Sequence, residues 1–310
     1  MMSSQEVIRK ADMVLNDLVV GGGLLQPAQA RKFLRIAIER SVLLPLCSVI
    51  PMKRPSMLID KIRFASRITH AGTENTALPL GQHAVPNLGQ VELATHLYKA
   101  EVRLSAEVLE DNIEQANFKD TLLQLIAERV SLDIEDIVIN SATVLVDPDL
   151  NKFNGLRAAV TTHVYDHLGN TYSKAATKGM VKAMPNEFIQ DRSMLRVLYS
   201  IDADTDYRDL IAERATQLGD ETFKGNMPLV TYGVPHIPVG RLPETLGAGH
   251  DSEAYLIDPK NCQVGFWRQV QIETDKDISA GTLIIVVTFR MGFVLAEETA
   301  AVKAINILVG

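Results

Sequence analysis

His163, Asp166 and His167 are spaced so that, on a helix, two imidazoles and a carboxylate would share a face and could ligate a divalent metal. The run Thr161-Thr162-His163-Val164-Tyr165 favours a strand instead, and no glutamate base stands between the histidines as the metalloprotease motif requires. Asp202, Asp204, Asp206 and Glu213 match positions one, three, five and twelve of a calcium loop. Tyr207 stands where that loop needs glycine, so the acidic run is expected to cap a helix over 207–218 and oppose its dipole. Gly21, Gly22 and Gly23 lack the following lysine and hydroxyl residue of a phosphate loop and read as a hinge. No serine sits in a Gly-x-Ser-x-Gly elbow, and neither Cys47 nor Cys262 has a histidine nearby in sequence, so nothing supports a nucleophile. Phe266 and Trp267 beside Arg268 could stack a base or a sugar, although strand core with an arginine at its rim is the plainer reading. The expectation is a chain with no catalytic residue, no cofactor and no metal site.

Composition narrows the remaining classes. The 310 residues are 46% hydrophobic and 22% charged, which is the balance of an ordered globular chain long enough for two lobes. A net charge of −7 argues against a module that binds nucleic acid by neutralising many phosphates. Two cysteines far apart in sequence make neither a disulfide framework nor a clustered zinc site, and a reducing cytoplasm fits. Glu6, Arg9, Lys10, Asp12 and Asp17 interrupt what would be the apolar core of a secretory signal. Apolar runs such as 283–287 are too short to span a bilayer, so a soluble, intracellular product is expected.

Several elements can be read from periodicity. Helical spacing over 5–20 ends at the triple glycine, and 24–50 reads as an arm that folds partly by lying on something else. Strands are expected over 57–65 and 90–104. The connection 66–89 between them has three glycines, two prolines and few large side chains, which suggests a projecting hairpin. Ser105 could cap a short turn over 106–110, though Val108 denies it a capping box. Leu123, Ile126, Val130, Ile134 and Ile137 predict a long helix over about 117–140. Residues 157–170 are mixed and resist assignment. Further on, helices are expected over 172–184 and 207–218, and strands over 195–201, 262–274, 282–295 and 301–308, with an irregular one over 229–239.

The order of these parts resembles a tailed-phage major capsid protein of the Hong Kong 97-type fold. Gly22-Gly23-Leu24-Leu25-Gln26-Pro27 resembles the start of that family's N-terminal arm, and 66–89 takes the place of its extended hairpin. The run Leu104-Ser105-Ala106-Glu107-Val108-Leu109-Glu110-Asp111, then Ala127-Glu128-Arg129 and Asp136-Ile137-Val138-Ile139-Asn140, resembles the spine helix and its lead-in. Phe153-Asn154-Gly155-Leu156 matches the turn after that helix. Tyr232-Gly233-Val234-Pro235 with Ile237-Pro238-Val239 resembles the strand before the final sheet, and Ile257-Asp258-Pro259-Lys260-Asn261, Val264-Gly265, Ile272-Glu273 and Phe289-Arg290 the closing strands.

The resemblance implies an α+β fold with an N-terminal arm over 1–48 and a peripheral domain over 49–151 that includes the hairpin and spine helix. It places a mainly axial domain over 152–262 and closing strands shared by both over 263–310. It implies a non-enzymatic major head protein that assembles as pentamers and hexamers into an icosahedral shell around double-stranded DNA, in a virion built in the bacterial cytoplasm. An encapsulin-type compartment is the alternative. Because 66–89 contains no lysine, the isopeptide crosslink of some relatives is not expected, and stability would be noncovalent or come from a cement protein. Only about twenty residues precede Gly21, so a separate scaffolding protein is expected beside the portal. The acidic balance implies weak, non-specific contact with packaged DNA and none with membranes.

Overall fold

The computed structural model describes residues 41–64, 67–72, 74–105, 118–213, 228–247, 251–277 and 279–309. The expected helix over 5–20, the glycine hinge, most of the arm, the turn over 106–110 and the end of the 207–218 helix lie outside them. The first half contains strands β1 (Ser48–Pro51), β2 (Ser56–Arg63), β3 (Asn87–Ala94) and β4 (His96–Ser105), then helices α1 (Phe118–Asn140) and α2 (Leu156–Ala159). Strand β5 (Val164–Thr171), helix α3 (Lys174–Ala183), strand β6 (Arg196–Tyr199) and helix α4 (Ile201–Ala212) follow. The chain closes with β7 (Val230–Thr231), β8 (Val234–Pro238), β9 (Ser252–Ile257), β10 (Cys262–Asp277), β11 (Thr282–Leu295) and β12 (Ala301–Leu308).

Strands β1, β10, β11 and β4 form one sheet in that order, with β1 parallel to β10 and the other pairs antiparallel. Alternation along β11 buries Ile285, Val287, Phe289 and Met291 on one face, as a half-buried strand requires. The 23-residue α1 contributes Ile126, Val130, Ile134 and Ile137 to the same core, the positions its periodicity predicts. Leu43 and Leu44 are also buried there, just before β1. Inside that contact, the Val42 N–H donates to Glu135 Oε2 at 3.0 Å. Burial pushes the Glu135 carboxyl above its ordinary range, against hydrogen bonds from the Val42 and Leu43 backbone and the attraction of Arg241.

The second sheet has the order β5-β12-β9-β6-β8-β7 and divides two cores. Every residue of β9 is buried: Tyr255 and Ile257 belong to the core shared with α1, Ala254 and Leu256 to a second core that includes Met180 of α3 and Ala203, Tyr207 and Ile211 of α4. This two-sided burial explains why β9 shows no alternation and escapes sequence reading.

Other departures from expectation have equally local causes. The single strand expected over 90–104 is two, β3 and β4, in different sheets. The chain breaks at Thr95, whose N–H and hydroxyl both donate to the Pro55 carbonyl, at 2.9 and 2.8 Å. The helix expected to begin at Tyr207 begins at Ile201, because Ser200 caps it by accepting the Ala203 N–H and Ala203, Tyr207 and Ile211 form its buried stripe. Asp202, Asp204 and Asp206 therefore lie within the helix and do not precede it. The unassigned stretch 157–170 resolves into most of α2 and β5.

Candidate functional site

The most conspicuous feature is an arm of two strands that buries little of its own apolar surface. Strands β2 and β3 pair antiparallel over eight residues, from Ser56 with Ala94 to Arg63 with Asn87. Of the connection between them, the described residues hold no regular structure beyond a 3-10 turn at Leu80–Gln82. Ile62, Leu80, Val85 and Leu88 are 70, 87, 81 and 70% exposed, and Leu58, Phe64 and Ile68 are exposed beside them. A concentration of bare aliphatic side chains on one projection marks an interaction surface, because scattered single exposures are what a monomer ordinarily shows.

The root of this hairpin rests on two glycines. Gly265 of β10 and Gly292 of β11 face each other across the ladder. A Cβ on Gly265 would come within 2.5 Å of Met52 Sδ and 2.7 Å of Leu93 Cδ2, and one on Gly292 would collide with the Ala94 carbonyl oxygen. The missing side chains let the start and end of the hairpin lie against the sheet. Gly292→Ala is expected to lower stability by about 1–3 kcal/mol through overpacking against backbone, read as a shifted urea midpoint with an unchanged slope. On its flank the hairpin is guided by Lys61–Glu297 at 3.4 Å, Arg63–Glu187 at 2.5 Å and the Arg63 guanidinium 5.7 Å from the Phe188 ring. These ion pairs are substantially exposed and orient the arm more than they hold it.

A largely buried charge cluster joins helices α1 and α2 to the second sheet. Glu253 of β9 accepts from Arg157 Nε of α2 at 2.9 Å, from Lys303 Nζ of β12 at 2.9 Å and from the Tyr255 hydroxyl. Arg157 also donates to Asn140 Oδ1 at 3.2 Å, and Asn140 donates to Asp136 and to the Arg241 carbonyl. The last turn of α1 is thereby connected to the middle of the second sheet. Burial alone would raise the Glu253 carboxyl, but hydrogen bonds from Arg157, Tyr255 and Lys303 outweigh it and hold the group below its ordinary range. Nearby, Thr161 and Thr162 each donate an N–H and a hydroxyl to Glu298. Those bonds overcome desolvation and bring its carboxyl down to about 2.

The residues singled out for chemistry are not gathered into a site. The His163 carbonyl accepts from the Lys303 N–H, Asp166 Oδ1 accepts from the Leu168 N–H and Asn306 Nδ2, and a His167 ring nitrogen pairs with the Thr171 carbonyl at 3.0 Å. They shape a bulge on the edge strand β5, where the register with β12 slips. Asp204 is occupied by Tyr199 and Arg208. Phe266 is core, and the cation over the Trp267 ring is Arg290 of β11, 4.5 Å away, while the Arg268 side chain lies outside the described residues. An open groove of about 530 Å³ between β4 and α1 is lined by Tyr98, Asp133, Asp136, Asp147, Asp149 and Phe289, which pair no nucleophile with a base. No group of three or more metal-ligating side chains occurs among the described residues. Sequence reasoning missed the Glu253 cluster because its members lie 96 and 50 residues apart and only the fold unites them.

Comparison with known proteins agrees with this picture of a scaffold. The model of the phage capsid family matches residues 21–307. YqbE of Bacillus subtilis (strain 168), named as a prophage capsid protein, is 35% identical over 311 residues, covering 99% of both chains. Among solved structures, the procapsid of satellite phage P4 that includes the size determination (Sid) protein aligns with 99% of each chain at 13% identity and a TM-score of 0.67. The SrpI encapsulin of Synechococcus elongatus PCC 7942 aligns with 91% of this chain and 96% of its own at 12% identity and a TM-score of 0.59. At such identities the structures speak for the fold, whereas the family match and the curated relative, both spanning nearly the whole sequence, speak for descent: the chain belongs to the phage capsid family.

Proposed function

We propose that this major capsid protein builds the phage head by clasping neighbouring copies through the β2–β3 hairpin and the arm over 1–48. The chain is a structural component of the virion shell and not an enzyme. The observation that carries the clasp is the row of bare aliphatic residues on a projecting ladder, which gain burial only against another surface. In this reading 49–151 is the peripheral domain and 152–262 mainly the axial domain that forms pentamers and hexamers, with 263–310 shared. The division of strands supports it, since β10 and β11 join the first sheet and β12 the second. The shell would enclose double-stranded DNA with little grip on it, as the net charge of −7 favours.

The proposed partners are a portal, a separate scaffolding protein and a cement protein. A size determination protein in the P4 procapsid is a precedent for such a separate assembly factor. The encapsulin likeness supports the alternative of a cargo compartment at the level of fold, and a relative at 35% identity named as a prophage capsid protein weighs against it.

Negative-stain microscopy of the purified protein with its scaffold supplied should show closed shells. Leu80→Asp combined with Val85→Asp should leave the subunit folded, with stability within about 0.5 kcal/mol, and reduce shells to rings or smaller species. Normal shells from that variant would overturn the clasp. A wild-type protein that stayed monomeric or dimeric under every assembly condition would overturn the shell itself.

A further inference from the structure

Cys47 and Cys262 are separated by most of the chain, yet the parallel pairing of β1 with β10 brings them together. Ser48 faces Gln263, Val49 faces Val264, Ile50 faces Gly265 and Pro51 faces Phe266. Cys47 is the residue before Ser48, at the end of the turn that leads into β1, and Cys262 is the residue before Gln263, the first of β10. Both are free and buried in the same core, Cys262 completely and Cys47 with 8% of its surface accessible. The Cys47 thiol beside it, together with burial, pushes the Cys262 thiol well above its ordinary range. Neighbouring parallel strands bring opposed Cα atoms within the span that a disulfide bridges.

We propose that Cys47 and Cys262 are a latent disulfide, closed by oxidation after folding, which staples the chain just ahead of β1 to the start of β10. With a small-molecule disulfide such as oxidised glutathione as oxidant, the Cys47 thiolate attacks one sulfur and releases one equivalent of the small thiol. The Cys262 thiolate then attacks the Cys47 sulfur of the mixed disulfide and releases the second equivalent. Two protein thiols are oxidised, one small disulfide is reduced to two thiols, and the protons pass to the departing thiolates. Cys47 acts first because it is the accessible member. Cys262 is held protonated, chiefly by the neighbouring Cys47 thiol and then by burial, so the pair stays reduced in a reducing cell interior and closes slowly outside it. The staple ties residue 47 to residue 262 whether the subunit is free or in a shell, and a head released from its host passes from the first condition to the second.

The test is oxidation of the full-length protein with oxidised glutathione, followed by denaturation, alkylation with iodoacetamide and intact-mass measurement, against a sample kept in dithiothreitol. The expected result is loss of both alkylation sites, a mass lower by two hydrogens and a crosslinked peptide containing Cys47 and Cys262. Cys47→Ser and Cys262→Ser should each leave one thiol that is alkylated or carries one glutathione. The oxidised wild type should melt on the order of 5 °C above the reduced one, because the closed loop restrains the unfolded chain. Two thiols that still alkylate after oxidation, or two stable glutathione adducts per chain, would show ordinary core thiols and sink the proposal.

Discussion

Glu253→Ala is expected to destabilise the subunit by about 3–5 kcal/mol, because it strips the shared anion from two buried cations. The Arg157 and Lys303 side chains are only 24 and 15% exposed, so water replaces the carboxylate poorly. Tyr255, fully buried, would lose the acceptor of its hydroxyl as well. Replacing all three charges together, as Glu253→Leu, Arg157→Met and Lys303→Leu, should recover most of the loss, since an apolar cluster carries no desolvation cost. Urea unfolding of the single and triple variants decides the matter. A loss below about 1 kcal/mol for Glu253→Ala would mean that the cluster is solvated and holds nothing. Acid acts on it in the same direction: the folded-state carboxyl lies below its unfolded value, so its stabilisation is present above about pH 4.5 and fades as pH falls through the folded value.

A second large effect should appear at milder acidity. His236 is 6% exposed, sits among Tyr172, Tyr199 and Tyr207 with ring centroids 6.0, 5.3 and 5.6 Å away, and neither ring nitrogen has a protein hydrogen-bond partner. Burial lowers it to about 4 from an ordinary 6.5, with only Asp204 pulling the other way. The folded state thus favours the neutral ring. Its contribution is complete above pH 6.5, declines as pH falls, and is gone below about pH 4. Between pH 7.5 and 4.5 this amounts to about 2–3 kcal/mol. His236→Phe should flatten stability over that interval while leaving the lower carboxylate window in place. A pH profile identical to the wild type, measured by denaturant midpoints, would rule out His236 as the sensor.

What could be read from the sequence depended on whether a residue's role was local. The stripe from Ile126 to Ile137 declared α1 because four positions of one helix share one core. The β10–β11 pair was legible because 262–274 and 282–295 are long, apolar and separated by a polar turn. At Thr95 the sign was masked: the core-facing positions are odd-numbered at Val91 and Leu93 and even-numbered at Val102 and Leu104, but Leu97, apolar and exposed, carries the odd series past the break. The hairpin was legible from its glycines, prolines and flanking strands. Its glycine bed was not, because Gly265 and Gly292 reveal their purpose only when Leu93 and Ala94 arrive from elsewhere in the chain. Glu253 inside an apolar strand and Cys47 beside Cys262 are of the same kind: their meaning is a long-range contact, and a single sequence carries no record of its partner.

The parallel pairing of β1 with β10 also determines how the subunit bears a load. Only four residue pairs join these strands, continued by the Met52 N–H to the Phe266 carbonyl at 2.8 Å. Tension drawn along the strand axis through residues 41–47 strains those ladder bonds together in shear, so none can open until the rest are close to yielding. Tension at right angles peels them one at a time from Ser48 onward. A copy that pulls on this segment in line with the sheet therefore meets a stiff anchor, and one that lifts it meets a zipper, so the direction of the tug sets the strength of the same four pairs.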